Sequence, residues 1–450
     1  MAFNTGLGNI IPLMLYVGIL VASLLAMVWR PILGLYVLTL LIPLQTTREK
    51  LQQFPAGDHV IYILILSVII GGLMGRGAKL PRSPLNGIII ALFVLTYISL
   101  WHGSFFLNFP VPLHMDYRMT LWANLAFMPV LYFASLYAIK DEKQMRILLA
   151  IMSVSAFLVA FTFFRTNYGR DFSHFSWGRR DAGTIGYAGV NGLGAYAAGA
   201  LAFIVAYISC ENSKIRKLGL LGLIAILMYS LLYSYSRGAY MGFIAALVIQ
   251  GFLKNRKLLI IVVVLLCSWR LILPESVLER ITMTYGEDGK LESSSADRVL
   301  IWEDAEKLVM ENPLFGTGFA TYAFMHRVKH YEDTHNYYMK MIVENGSIGL
   351  ILLLAVILTA ARQSYLLFRS AEQPFFRGVG LGLLGLLTSV LIVNIFGDRF
   401  SYLQVNGCTW VLMACVVRSR VLLQEASEAP AAAEAKTPLM ITEPAQPVMW

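Results

Sequence analysis

Apolar segments, each roughly the length needed to cross a bilayer, recur from one end of this chain to the other. They fall at about 10–28, 31–44, 60–75, 85–100, 121–139, 145–164, 190–209, 218–235, 239–253, 258–273, 346–368, 378–396 and 400–417. A helix crosses the hydrocarbon core with about 20 apolar residues and satisfies its backbone polar groups internally. The runs are continuous rather than alternating, which argues against a β-barrel. Composition agrees: 57% of the 450 residues are hydrophobic and 14% charged, with mean hydropathy +0.65. A soluble chain carries about 25% charged residues. The expectation is an all-α polytopic membrane protein with about 12–13 transmembrane helices. The 31–44 run is short and holds Pro31 and Pro43, so a broken or partial span is expected there. Cys210, Cys267, Cys408 and Cys415 lie in or at the ends of apolar runs, as packing thiols do, and no disulfide framework is expected. The first charged residue is Arg30, so the first run lacks the basic flank of a cleavable signal peptide.

The net charge of +9 has to be read side by side along the loops. One alternate set of connections holds Arg76, Lys79 and Arg82, then Lys140, Lys143 and Arg146, then Lys214, Arg216 and Lys217, then Lys254, Arg256 and Lys257. It continues with Arg362, Arg369 and Arg377, and with Arg418 and Arg420. Short loops rich in Lys and Arg stay cytoplasmic, so this set is expected inside. The other set contains 45–59, 101–120, 165–189, the 236–238 corner, the 274–345 loop and 397–399. His59, His102, His114, His174, His326, His330 and His335 all fall in it or at its edge. The loop 165–189 breaks the charge rule with Arg165, Arg170, Arg179 and Arg180, which suggests another task for them. The expected organisation is 1–164, N-terminal spans; 165–273, spans with arginine-bearing outer loops; 274–345, a large outer helical loop; 346–420, C-terminal spans; and 421–450, a disordered inner tail rich in Ala, Pro and Glu.

A loop as long as 274–345 should hold structure of its own. Ala296 to Met310 has the apolar spacing of an amphipathic helix, Ser293, Ser294 and Ser295 are candidate N-caps, and Asn312-Pro313 is a stop. Residues 319–330 read as a second short helix.

Three features there and nearby suit chemistry on an anion. His335, beside Asn336 and ahead of a span, is a proton acceptor near neutral pH, with Asp333 or Glu344 to orient its ring. The bland alternative is a capping or packing histidine. Arg179 and Arg180 precede a glycine-rich span start that includes Asn191, and guanidinium groups grip phosphate oxygens bidentately. Their bland alternative is snorkelling to lipid headgroups. Arg237 sits at a tight corner among Tyr233, Tyr235 and Tyr240, where a charge close to hydrocarbon is costly without a function. A metal site on His326, His330 and His335 is disfavoured, because a charged linker separates them and no HExxH pattern occurs. A base and arginines on one face, next to lipid, are what transfer from a lipid-linked pyrophosphate requires.

Three stretches, RRDAGTIGYAGVNGLGAY, SRGAYMGF, and NPLFGTGFATY followed by DTHNYYMKMIVENGSIGLILLL, resemble the O-antigen ligase and O-antigen polymerase superfamily over roughly 160–420. The resemblance implies a glycosyltransferase-C-like membrane fold and no cofactor or metal. It implies an undecaprenyl-pyrophosphate-linked glycan donor, used at the periplasmic face of a bacterial inner membrane. It implies that His335 activates the acceptor and that Arg237, with Arg180 or Arg179, holds the pyrophosphate; Asn191, Asn336 and Glu344 support them. The expected activity is an inverting ligase reaction onto a hydroxyl such as that of lipid A-core. The alternative is a polymerase whose acceptor is the next lipid-linked repeat. A lipid-linked sugar transporter is disfavoured because mid-span charges are few and no inverted repeat is visible.

Overall fold

The computed structural model describes residues 7–75, 80–113, 116–283, 293–329 and 331–434. Arg76, Lys79, His114, His330 and the tail 435–450, all used in the sequence reading, lie outside the described residues. Seventeen α-helices and no strand occur among those described. They run α1 Leu7–Val28, α2 Pro31–Leu41, α3 Gln45–Glu49, α4 Val60–Met74, α5 Pro84–Phe106, α6 Tyr117–Ala138, α7 Glu142–Asn167, α8 Gly189–Cys210 and α9 Lys214–Tyr233. There follow α10 Arg237–Leu253, α11 Lys257–Ile272, α12 Glu275–Thr282, α13 Ser293–Glu311, α14 Tyr322–Met325, α15 Tyr337–Ser370, α16 Pro374–Val393 and α17 Leu403–Glu434.

The protein is a multi-pass membrane protein. Ten helices among the described residues are long and apolar enough to cross a bilayer, or eleven if α11 and α12, bent by 107°, count as one broken span. The expected figure of 12–13 is reached only by adding α2 and α10, which are apolar but have 11 and 17 residues. Pro31 begins α2 at a position where its missing N–H costs nothing. Packing separates lipid-facing from central helices. Large apolar side chains on α1 (Ile11, Met14, Val17) and α11 (Ile260, Val263, Leu266) are exposed, as contact with acyl chains permits. On α11 Cys267 is exposed as well, unlike buried Cys210 and Cys415.

At the centre α8 packs on α16, and small residues let the backbones approach. A Cβ at Gly385 would meet Ala202 O at 3.0 Å and Gln250 Nε2 closer still. Gln250 Nε2 donates to Ala202 O at 2.6 Å, so this buried amide on α10 satisfies its donor on α8.

Within the large loop α13 covers Ser293–Glu311, one residue short of the Asn312-Pro313 stop. The helix expected over 319–330 is corrected: α14 spans only Tyr322–Met325 and ends in His326 at φ 45. That break ends the helix at His326, and position 330 lies outside the described residues. The tail also differs, since α17 continues helically to Glu434, past the boundary expected at 421.

Candidate functional site

Three chain segments meet at the kink of α15. The turn 316–318 is pinned to α5: Phe319 N donates to Ser99 O at 3.0 Å and His102 Nε2 to Gly316 O at 3.2 Å. The same turn holds α15, with Thr317 N donating to Val343 O and Gly318 N to Glu344 O at 2.8 and 2.9 Å. Ser99 Oγ donates to Glu344 O at 3.0 Å, closing the triangle. Glycine is required at the crossing. Gly346 lies at φ 67, ψ −174, a region open to glycine alone, and a Cβ there would sit 2.0 Å from Leu314 O. Glu344-Asn345-Gly346 is therefore a kink at which two helical segments of α15 meet, with Glu344 and Asn345 buried.

His335 stands one residue before the Asn336 cap of α15. Asn336 Oδ1 accepts from Tyr338 N and Met339 N at 3.0 and 3.2 Å, so its side chain is spent on capping the start of the helix. His335 itself has φ 52, a left-handed conformation that costs a residue with a Cβ about 1–2 kcal/mol. Its neighbours hold it there. Trp302 Nε1 on α13 donates to Thr334 O at 2.9 Å, Thr334 Oγ1 donates to Asn336 O at 2.8 Å, and the Tyr331 ring meets the imidazole edge-on at 5.5 Å. Tyr331 is itself fixed by a hydrogen bond to Asp297 Oδ2 at 2.6 Å.

Asp333 Oδ2 lies 3.6 Å from His335 Nδ1, an ion-pair distance rather than a hydrogen bond. Burial raises the Asp333 carboxyl pKa, but His335, Lys340 and Arg399 outweigh it and hold it down to about 2. Of the two expected ring-orienting acids, Asp333 is the one that faces the imidazole. Lys340 Nζ binds Asp398 Oδ2 at 2.9 Å, which ties α15 to the connection between α16 and α17.

The arginines of 165–189 diverge. Arg180 Nη2 donates to Asn191 Oδ1 at 2.9 Å and to Ser234 O at 3.2 Å, linking the loop to the start of α8 and to the corner before α10. Its Nε is buried without a hydrogen-bond partner. Burial, then the charges of Arg280, Arg399 and Arg237, lower its pKa to about 10. Arg179 turns the other way, donating to Asp171 O at 2.6 Å and lying 3.6 Å from the Asp171 carboxylate. Asn191 thus positions Arg180. Arg237 opens α10 behind Tyr235, which is buried at φ 54 and hydrogen-bonded to Ser276 Oγ at 3.2 Å.

Sequence reasoning missed several members of this end of the molecule. Arg280 on α12 is buried, stacked on Trp177 at 4.4 Å and Phe175 at 5.2 Å. Arg399 acts electrostatically on both Arg180 and Asp333. Its signal was present: it is an arginine in an outer connection, the same anomaly that drew attention to 165–189. Among the described residues, His174, Glu275 and Glu279 form a group with metal-ligand spacing, and it does not include His326 or His335. His174 Nδ1 donates to Glu279 Oε1 at 2.7 Å; that bond raises the imidazole pKa and lowers the carboxyl pKa. The pair ties the arginine-bearing loop to α12.

The helical bundle thus brings a strained histidine facing a carboxylate within electrostatic reach of several arginines. Residues 220–354, from within α9 to within α15, match the family model described as O-antigen ligase. The protein is thus a multi-pass membrane protein in which this stretch is similar to the O-antigen ligase family. The match covers just under a third of the chain and includes Arg237, His335 and Glu344, while Arg180, Asn191 and Arg399 lie outside it. The chain matches none of the curated proteins compared.

Proposed function

We propose that this protein transfers a glycan from a polyprenyl-pyrophosphate carrier to an acceptor hydroxyl, as a ligase, at the periplasmic face of a bacterial inner membrane. The carrying observation is His335, held left-handed by Trp302 and Thr334, with Nδ1 toward ionised Asp333 and the arginine cluster in electrostatic reach through Arg399. With Nδ1 facing the carboxylate, Nε2 is the nitrogen left to take a proton. The acceptor oxygen attacks the anomeric carbon, its proton passes to His335, and the carbon–oxygen bond to pyrophosphate breaks with its electrons on the leaving group. Direct displacement inverts the anomeric centre. Arg180 and Arg237 carry the growing negative charge, in a site where fixed donors need no reorganisation. His335, Asp333 and the arginines suffice for these steps, so the reaction is written without a metal.

The test supplies purified protein with a lipid-linked donor and, separately, lipid A-core or donor alone. A ligase makes the core-linked product and leaves donor alone unchanged. Chain lengthening without core would convert the reading to a polymerase. No glycan transfer in either mixture would remove it.

A further inference from the structure

One arginine stands apart from the cluster around Arg180. The cations acting on Arg180 are Arg280, Arg399 and Arg237, and Arg48 is not among them. Arg48 lies on α3, in the connection between α2 and α4, and is half-buried. Its Nη2 donates to Ile42 O at 3.3 Å, while its Nε is shielded without a hydrogen-bond partner. The neighbouring acid, Glu49, accepts from Gln45 Nε2 at 2.8 Å, and no ion pair to Arg48 occurs among the described residues. Burial lowers the Arg48 pKa, and Tyr187, Glu49 and Tyr62, all within electrostatic reach, offset part of that.

The surroundings of Arg48 are fixed by three elements. Helix α3 packs on the 3-10 turn Gly183–Ala188. Gln404 Nε2 on α17 donates to Gln45 Oε1 at 2.8 Å and to Ile185 O at 3.4 Å, which ties α3, the turn and α17 together. The turn presents Tyr187, which at 63% exposed has a ring open to a ligand, and sets that ring 5.7 Å from Tyr402. Tyr62 on α4 is partly exposed and anchored by its hydroxyl, which donates to Asn124 Oδ1 at 3.1 Å. Tyr402 in turn lies within electrostatic reach of Asp398, Arg399, Asp333 and Lys340. A guanidinium among exposed tyrosine rings is thus joined through Tyr402 to the carboxylate that faces His335.

Exposed tyrosines alone are ordinary at a membrane boundary. Here they share an arginine with donor capacity to spare and a fixed link to Asp333. Aromatic rings offer flat apolar faces for sugar rings to lie on, and a guanidinium fork matches phosphate oxygens. Direct displacement also brings the acceptor in from the side away from the leaving group, so a site linked to Asp333 but apart from Arg180 is placed for the acceptor.

We propose that Arg48 and Tyr187 form an acceptor subsite that binds a phosphorylated saccharide. The inference rests on the reading of the protein as a transferase with a saccharide acceptor, and it names the chemistry by which that acceptor is chosen.

Microscale thermophoresis of the full chain in detergent, without donor, tests it, with lipid A-core and the same material dephosphorylated by hydrofluoric acid as probes. Arg48→Ala is expected to weaken lipid A-core by about tenfold or more, as loss of a charge-assisted bond does. Arg48→Lys retains part of the binding, because a point charge replaces the fork. Tyr187→Ala removes an exposed ring, so it should melt as wild type does and bind about threefold or more weakly. Dephosphorylation should cost wild type more affinity than it costs Arg48→Ala, which has already lost that contact. Phosphatidylglycerol, a lipid source of phosphate, should not displace the probe. No binding by wild type, wild-type binding by Arg48→Ala or Tyr187→Ala, an equal cost of dephosphorylation in both proteins, or displacement by phosphatidylglycerol would each overturn the proposal. If binding ignores Arg48 and Tyr187 while His335→Ala loses transfer, this inference fails and the proposed function stands. If the probes behave as expected but wild type transfers no glycan from a lipid-linked donor, the reverse holds.

Discussion

Replacing Trp302 by Phe removes one hydrogen bond at a chosen point. The indole N–H that holds Thr334 O disappears, while a ring remains against Ile301, Ala305 and the rest of the small core under α13. A neutral hydrogen bond contributes about 1 kcal/mol net. The bond opposes the relaxation of His335 out of its left-handed backbone, a strain of about 1–2 kcal/mol. Loss of about 1 kcal/mol from the posed state lowers its population, and therefore kcat, by about fivefold. Donor binding should not move, since Trp302 touches none of the arginines assigned to the head group. Steady-state transfer with saturating acceptor gives kcat, and donor titration gives KM. A variant with wild-type kcat would refute the reasoning that α13 poses the histidine. So would one whose loss appears wholly in donor KM.

Arg180→Ala should raise donor KM by about tenfold or more, whereas Arg179→Ala, whose side chain faces exposed Asp171, should change it by less than about twofold; equal effects would contradict the divergence of the pair. Asp333→Asn should lower kcat by about tenfold to a hundredfold at neutral pH. Because the Asp333 carboxyl pKa is held below its usual 3.8, its ionic contribution to stability is present above about pH 4 and is lost as pH falls toward 2. The melting temperatures of wild type and Asp333→Asn in detergent should therefore converge on acidification; divergence would reverse the sign assigned to the pair. Gly346→Ala must place a Cβ against the Leu314 carbonyl from a glycine-only backbone, so we expect a loss of more than about 3 kcal/mol and poor yield, with wild-type melting as the contrary result.

Much of the fold was legible because the bilayer imposes one local rule. Each apolar run became a helix, and even short α2 was flagged by Pro31 and Pro43. What the rule does not fix is how helices share a chain. Tyr337–Ser370 breaks into two helical segments at Gly346, where the chain crosses Leu314, a contact that depends on the turn 314–318 packing against α5. The helix expected over 319–330 failed for a related reason: the chain there follows Ser99 and His102 instead of its own propensity.

Around the proposed site, the place of His335 ahead of a capped helix was legible. Arg179 and Arg180 were not separable, since neighbours in a loop differ only in which way each side chain turns. Arg399 was harder still. It acts on both Arg180 and Asp333, which lie far from it in the chain. Trp302 acts through a backbone carbonyl 32 residues away, which no motif records.

The central claim is that His335 takes the acceptor proton. Single-turnover transfer from a preformed donor complex tests it most directly, with wild type and His335→Ala compared at equal donor occupancy. General-base loss predicts a rate lower by about 10²–10⁴ with the donor still bound. A His335→Ala rate within about threefold of wild type would contradict the claim.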